Sequence, residues 1–220
     1  MKSITFEAAL FDLDGVVFDT EPQYSVFWGQ VCRHYHPELP GLENKIKGQT
    51  LTQILDAYFA DEDMRKEIVL RLDEYEMAMD YPYIPGFLSF MRMLRDANVR
   101  TAVVTSSNVP KMECVYKAHP DFMHLFDAVL TAEDFDESKP SPDCYLKAAQ
   151  KLGASKDGCV VFEDSFNGLR SGMAAGMAVV GLATTNDADA IAPLCDIVVP
   201  DFQNLKMEDC LHLLNNHSVS

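Results

Sequence analysis

Four short apolar runs, separated by stretches of helical period, constrain this chain more than any other feature. They are Glu7–Asp12 (EAALFD), Arg100–Thr105 (RTAVVT), Cys159–Asp164 (CVVFED) and Ala178–Leu182 (AVVGL). Their apolar residues are consecutive rather than alternating, so both faces must be covered, which is the pattern of a buried parallel strand. Asp127–Leu130 is a weaker run and Ile197–Val199 a candidate edge strand. Helical patterns lie between them at Gly86–Ala97, Pro110–Ala118, Pro142–Leu152 and Asn167–Ala175. Strand alternating with helix predicts an α/β fold, a doubly wound parallel sheet with helices on both faces.

The alternation breaks between residues 20 and 84. Tyr24, Phe27, Trp28, Val31, Cys32 and Tyr35 recur at helical spacing, and Met64, Ile68, Leu72, Tyr75 and Met79 form a second stripe. Both read as faces packed on a core, with no cofactor role. The organisation expected is therefore an α/β core of residues 1–19 and 85–220, interrupted by a helical cap over 20–84. Pro82 and Pro85-Gly86 mark the exit from the insertion. Gly168, Gly172 and Gly176, at spacing four, read as small residues that let a helix approach the sheet.

Composition narrows the function classes. The 220 residues carry a formal net charge of −16. Nucleic-acid affinity comes largely from Lys and Arg neutralising phosphates, and anionic bilayers attract the same residues, so neither partner is expected. The longest uncharged run, Ser171–Asn186, has 16 residues broken by three glycines, short of the roughly 20 apolar residues of a membrane span. After Lys2 the apolar stretch meets Asp12 and Asp14, so a secretory signal is not expected. Six cysteines without a CxxC pair suggest free thiols and a cytoplasmic setting. Six histidines with no HExxH give no zinc site. A monomer is expected.

Ligands of open parallel sheets bind beyond the carboxyl ends of the strands. Asp12-Leu13-Asp14-Gly15, Thr105-Ser106-Ser107-Asn108 and Glu163-Asp164-Ser165 all fall there, and Lys139-Pro140 precedes a helix. Singly, each could be a solvated turn, a helix cap or a surface loop. Together they put carboxylates, hydroxyls and one ammonium at a single edge. Hard carboxylate oxygens suit Mg²⁺, and a hydroxyl with a lysine suits the phosphate that Mg²⁺ accompanies.

The run Phe11-Asp12-Leu13-Asp14-Gly15-Val16-Val17-Phe18-Asp19-Thr20 resembles the first motif of the haloacid dehalogenase superfamily. Thr105 is similar to its second motif, Lys139-Pro140 to its third, and Phe162-Glu163-Asp164-Ser165 with Asn167-Gly168 to its fourth. The helical insertion sits where the family places its first type of cap. Within the superfamily the chain looks most like the β-phosphoglucomutase-like phosphatases. The resemblance implies a phosphatase of small phosphate monoesters, sugar phosphates by default, working through an aspartyl-phosphate. It implies Asp12 as nucleophile and Asp14 as acid and base. Lys139, Thr105 and Ser106 would hold phosphate. Mg²⁺ would lie on Asp12, the Asp14 carbonyl and Asp164, with Glu163 in or near its shell. Asp14 itself argues against the dehalogenase branch, because a carbon–halogen bond needs no proton donor.

Two positions bear on a mutase alternative. Where the mutases carry a histidine after the first motif this chain has Tyr24, and where they carry a cap arginine Lys47-Gly48-Gln49-Thr50 is followed by Leu51. Loss of that arginine removes the second anion site a mutase needs, so hydrolysis is expected. Lys45 and Lys47 read as a solvated basic surface. Glu21, Gln49, Thr50 and Asn108 are expected near the substrate. A phospho-acceptor that keeps its phospho-aspartate as a signal, or a phosphate-binding protein without turnover, is the alternative outside the enzymes.

Overall fold

The computed structural model describes residues 5–47 and 49–217, so Lys2 and Gly48 lie outside the described residues. Every apolar run named above forms a strand of one parallel sheet. The strands are β1 (Ala8–Phe11), β2 (Arg100–Val104), β3 (Ala128–Leu130), β4 (Cys159–Glu163), β5 (Ala178–Leu182) and β6 (Ile197–Val199). Their order is β3-β2-β1-β4-β5-β6, and Leu10 lies opposite Ala102 on one side and Val161 on the other. From β1 the chain builds outward to β3, then returns to build β4 to β6 on the opposite side. The order therefore reverses between β1 and β4, and a crevice opens at their carboxyl ends.

Side chains alternate across a strand, so one run feeds two cores. Ala9 and Phe11 face a layer containing α5 (Phe87–Asp96), α6 (Val109–Ala118) and α10 (Met207–His217). Ala8 and Leu10 face α7 (Asp143–Leu152) and α8 (Phe166–Ala174). Phe11 stacks on Phe162 with ring centroids 4.7 Å apart, and burying a ring of this size contributes about 2–3 kcal/mol.

The stretch that broke the alternation is helical. It forms α1 (Glu21–Tyr35), α2 (Leu42–Lys45), α3 (Leu51–Tyr58) and α4 (Glu62–Ala78). Phe27, Trp28, Val31 and Cys32 of α1 meet Ile54 of α3 and Ile68 and Leu72 of α4 in a third hydrophobic cluster. Four helices were not anticipated: α2, α3, α9 (Ala188–Ile191) and α10. The first three are short, and α3 owes its start to a local device. Thr50 accepts from Gln53 N while the Gln53 side chain accepts from Thr50 N, a reciprocal capping box.

The three spaced glycines serve different ends. A Cβ at Gly172 would meet Val179 Cγ2 at 2.9 Å and Val161 Cγ1 at 3.0 Å, so this glycine does let α8 approach the sheet. Gly176 lies beyond α8 with φ +67°, and its role is backbone reversal rather than close approach. Gly86 combines both demands. Its φ is +82° and a Cβ there would lie 2.5 Å from Gln203 N and 2.6 Å from Phe202 C. Gly86→Ala should cost about 2 kcal/mol of stability, read as a lower midpoint in urea melts. An unchanged midpoint would contradict the packing.

Candidate active site

The crevice collects its groups from four separate stretches. β1 delivers Asp12, whose N–H extends the ladder by donating to Phe162 O at 3.0 Å. The turn that follows uses Gly15 at φ +76°. A Cβ there would lie 2.0 Å from Asp164 Oδ2, so only glycine leaves room for that carboxylate. β4 delivers Glu163 and Asp164. β2 delivers Thr105, whose N–H donates to Leu130 O at 3.0 Å and whose Oγ1 accepts from Ser107 N at 3.0 Å. Lys139 enters from the segment ahead of α7.

Lys139 is 2% exposed. Its ammonium donates to Asp12 Oδ1 at 2.6 Å, to Glu163 Oε1 at 2.6 Å and to Val104 O at 3.0 Å, which uses all three of its protons. Burial acts to lower its pKa, but the Asp12 and Glu163 charges outweigh it and hold the amine well above its usual range. Burial pushes the Asp12 carboxyl up to about 7, with Lys139 pulling the other way. Asp164 is also raised, by burial first and then by the Glu163, Glu21 and Asp12 charges.

Asp12, Glu163 and Asp164 each offer an oxygen, all within 4.8 Å of one another. The donor set is hard and anionic, and one buried lysine leaves two of its three negative charges uncompensated. A divalent cation that prefers oxygen fits this set on both counts.

Glu163 has a further commitment. Oε1 accepts from Lys139 and from the Tyr145 hydroxyl at 2.9 Å, and Oε2 accepts from Asp164 N, Ser165 N and Ser165 Oγ. Its carboxylate lies against Gly168, where a Cβ would sit 1.7 Å from Oε1. Any metal contact at Glu163 would be additional to these five bonds, which make it first the anchor of Lys139 and of the start of α8.

Asp14 is held by three donors: Thr20 Oγ1, Ser107 Oγ at 3.1 Å, and the ammonium of Lys111. Glu21, Gln49, Ser106 and Asn108 line the same pocket as Asp12, Asp14, Thr105, Lys139 and Asp164. Asn108 also caps α6, accepting from Lys111 N at 3.0 Å. Glu21 Oε2 is buried without a hydrogen-bond donor, and Lys47 Nζ stands 3.5 Å from it. Lys47 is thus a half-buried pocket residue rather than part of a solvated surface, whereas Lys45 is exposed. Thr50 is the correction among the expected substrate contacts. Its hydroxyl is spent on the α3 cap, and it does not line the pocket.

Comparison with known proteins fits this geometry. The family model for haloacid dehalogenase-like hydrolases matches residues 9–182. The chain belongs to that family. It is 30% identical over 225 residues to glycerol-1-phosphate phosphohydrolase 2 of Saccharomyces cerevisiae, covering 93% of this chain and 86% of the relative. It is 29% identical over 185 residues to the fructose-1-phosphate phosphatase of Escherichia coli, covering 80% and 95%. A crystal structure of a family IA hydrolase from Entamoeba histolytica superimposes with a TM-score of 0.82 at 25% identity, covering 96% of this chain and all of that one. This family member is a phosphoric monoester hydrolase.

Several groups of the hydrolase site were not anticipated: Thr20, Lys111, Tyr145, Thr184 and Thr185. Thr185 Oγ1 donates to Asp164, and Thr184 Oγ1 donates to Gly15 O at 2.6 Å. Both follow β5 at the same sheet edge, a position that could have flagged them. Glu163→Gln would set an amide NH2 against donors that the carboxylate now accepts from, Lys139 and Tyr145 on one oxygen or Asp164 N and Ser165 on the other. It should cost about 3 kcal/mol, measured by denaturant unfolding. Wild-type stability in that variant would remove the anchoring role.

Proposed function

We propose that this hydrolase is a Mg²⁺-dependent phosphatase that acts on sugar phosphates and similar small phosphorylated polyols through an aspartyl-phosphate on Asp12. The reading rests on one observation: Asp12, Asp14, Thr105, Lys139 and Asp164 converge on one pocket at the switch point of the sheet. Residues 20–84 act as a cap over a core of 1–19 and 85–220. The lining from that segment, Glu21, Tyr24, Ser25, Trp28 and Gln49, offers hydrogen-bonding groups and an aromatic face, which suit a polyhydroxy leaving group.

Asp12, the Asp14 main-chain carbonyl and Asp164 would hold Mg²⁺, which when bound offsets the repulsion between a carboxylate and an anionic phosphate. Asp12 attacks phosphorus and the bond to the leaving oxygen breaks. Asp14 gives its proton to that oxygen, then takes one from the water that attacks the aspartyl-phosphate. Inorganic phosphate leaves and Asp12 is restored. Lys139, Thr105 and the N–H of Ser106 hold phosphate oxygens as charge spreads across them. Lys139 does so with the proton it now gives to Asp12, while still anchored on Glu163 and Val104 O.

Hydrolysis is favoured over phosphosugar transfer. The position of the mutase histidine holds Tyr24, whose hydroxyl is occupied by Glu76 at 2.7 Å. Leu51 lines the pocket where an arginine would be wanted, and Lys47 is already paired with Glu21. The pocket-lining acids Glu21, Glu43 and Glu76 disfavour a second phosphate.

The test is phosphate release from a panel of sugar and polyol phosphates with Mg²⁺. Asp12→Asn should abolish release, and excess EDTA should silence the enzyme reversibly. Turnover by a folded Asp12→Asn protein would end the covalent mechanism. Asp14→Asn should accept phosphate slowly and then stall, so that labelled protein accumulates. Wild-type steady-state rates in that variant would remove Asp14 from the proton transfers.

A further inference from the structure

Lys111 takes part in none of these steps, yet it is 3% exposed and lines the pocket. It stands on the first turn of α6, in the core. Its ammonium pairs with Asp14 Oδ2 and lies 4.5 Å from the centre of the Tyr24 ring, which belongs to α1. The Tyr24 hydroxyl donates to Glu76 Oε1 of α4 at 2.7 Å, and Glu76 in turn lies within the field of Lys111. Helices α4 and α6 pack directly against each other. One cation therefore joins the core carboxylate Asp14 to two helices of the 20–84 segment.

We infer that Lys111 is a positioning residue that aims the Asp14 carboxylate and makes that aim depend on the seating of α1 and α4. This rests on the acid/base role proposed for Asp14. Two alternatives fit less well. A substrate-anion site would draw the ammonium away from Asp14, whose carboxylate the proposed proton transfers keep in use. Simple stabilisation would not need a charge here, since apolar replacements of buried ion pairs are often neutral. The remaining Asp14 donors, Thr20 and Ser107, are short hydroxyls that reach it from the residue preceding α1 and from the loop after β2. Among the described residues, Lys111 alone links Asp14 to α1 and α4 together, through the Tyr24 ring and Glu76. When those helices shift against α6, two partners of the ammonium move, and its hold on Asp14 moves with them.

The experiment compares kcat/KM for two substrates that differ in their need for a proton donor. An alkoxide leaving from glycerol phosphate must be protonated, whereas p-nitrophenolate leaves without help. In Lys111→Met, kcat/KM for glycerol phosphate should fall about 100-fold, the range of a lost general acid, and for p-nitrophenyl phosphate only slightly. Lys111→Arg keeps the cation and should restore most of the loss. The double variant Tyr24→Phe/Glu76→Gln leaves Lys111 in place and loosens only its far side. It should bias the two substrates in the same direction by a smaller factor, and it reads the same ratio if Lys111→Met does not fold. Equal losses on both substrates, or no loss, would overturn the inference. Release from glycerol phosphate that persists in Asp12→Asn would instead overturn the proposed function itself, whatever the ratio.

Discussion

One ammonium among buried carboxylates sets the terms for the rest of this structure. Asp12, Glu163 and Asp164 are gathered where parallel strands end, and burial of such groups is costly unless the charge is met. Lys139 meets part of it by bonding to Asp12 and Glu163 at once. Holding that lysine then requires Glu163 to be fixed. The Tyr145 hydroxyl, two N–H groups at the start of α8 and the Ser165 hydroxyl do this, and Gly168 leaves the space in which its carboxylate lies. A requirement for charge balance at one point thus explains a glycine, a buried tyrosine and the way α8 begins.

The fold was legible because its four central strands are buried on both faces. Runs such as ALF and VVF cannot sit at a surface, and four of them with helices between leave few arrangements. The carboxylates were legible for a related reason, since each stands next in sequence to a strand whose end had already been located. What could not be read was whatever depends on pairing across the fold. Lys111 reaches Asp14 across 97 residues, and in sequence it is only a lysine on an amphipathic helix. Thr50 misled in the opposite direction. A threonine beside the expected pocket also opens α3, and the local cap took the hydroxyl.

The segment between residues 20 and 84 meets the rest of the chain along a seam of two kinds. Beside the pocket it is polar, with Thr20 on Asp14 and Tyr24 on Lys111. At the segment's exit it is apolar, with Met79, Tyr81 and Ile84 packed into the core beside β1. The segment also keeps a hydrophobic cluster of its own. Trp28 and Leu72 belong to that cluster and also line the pocket. Packing changes within the segment would therefore alter the surface presented to a leaving group.

The same seam bears on why water would not simply discharge every phosphate that enters. An acid/base carboxylate that is always correctly aimed would serve water as readily as substrate. Asp14 takes its donors from three places: the residue preceding α1, the loop after β2, and α6. No single element fixes it. Its geometry is complete only when these elements stand in register, and Tyr24 and Glu76 make Lys111 responsive to that register from the far side. On the acid/base role proposed for Asp14, the proton chemistry is then coupled to the fit of the leaving group beneath α1 and α4 rather than to the phosphate alone, which every substrate shares. Selectivity in such a hydrolase comes from the conditions under which one carboxylate is brought to bear, and a cation that spans the seam is a direct way to impose them.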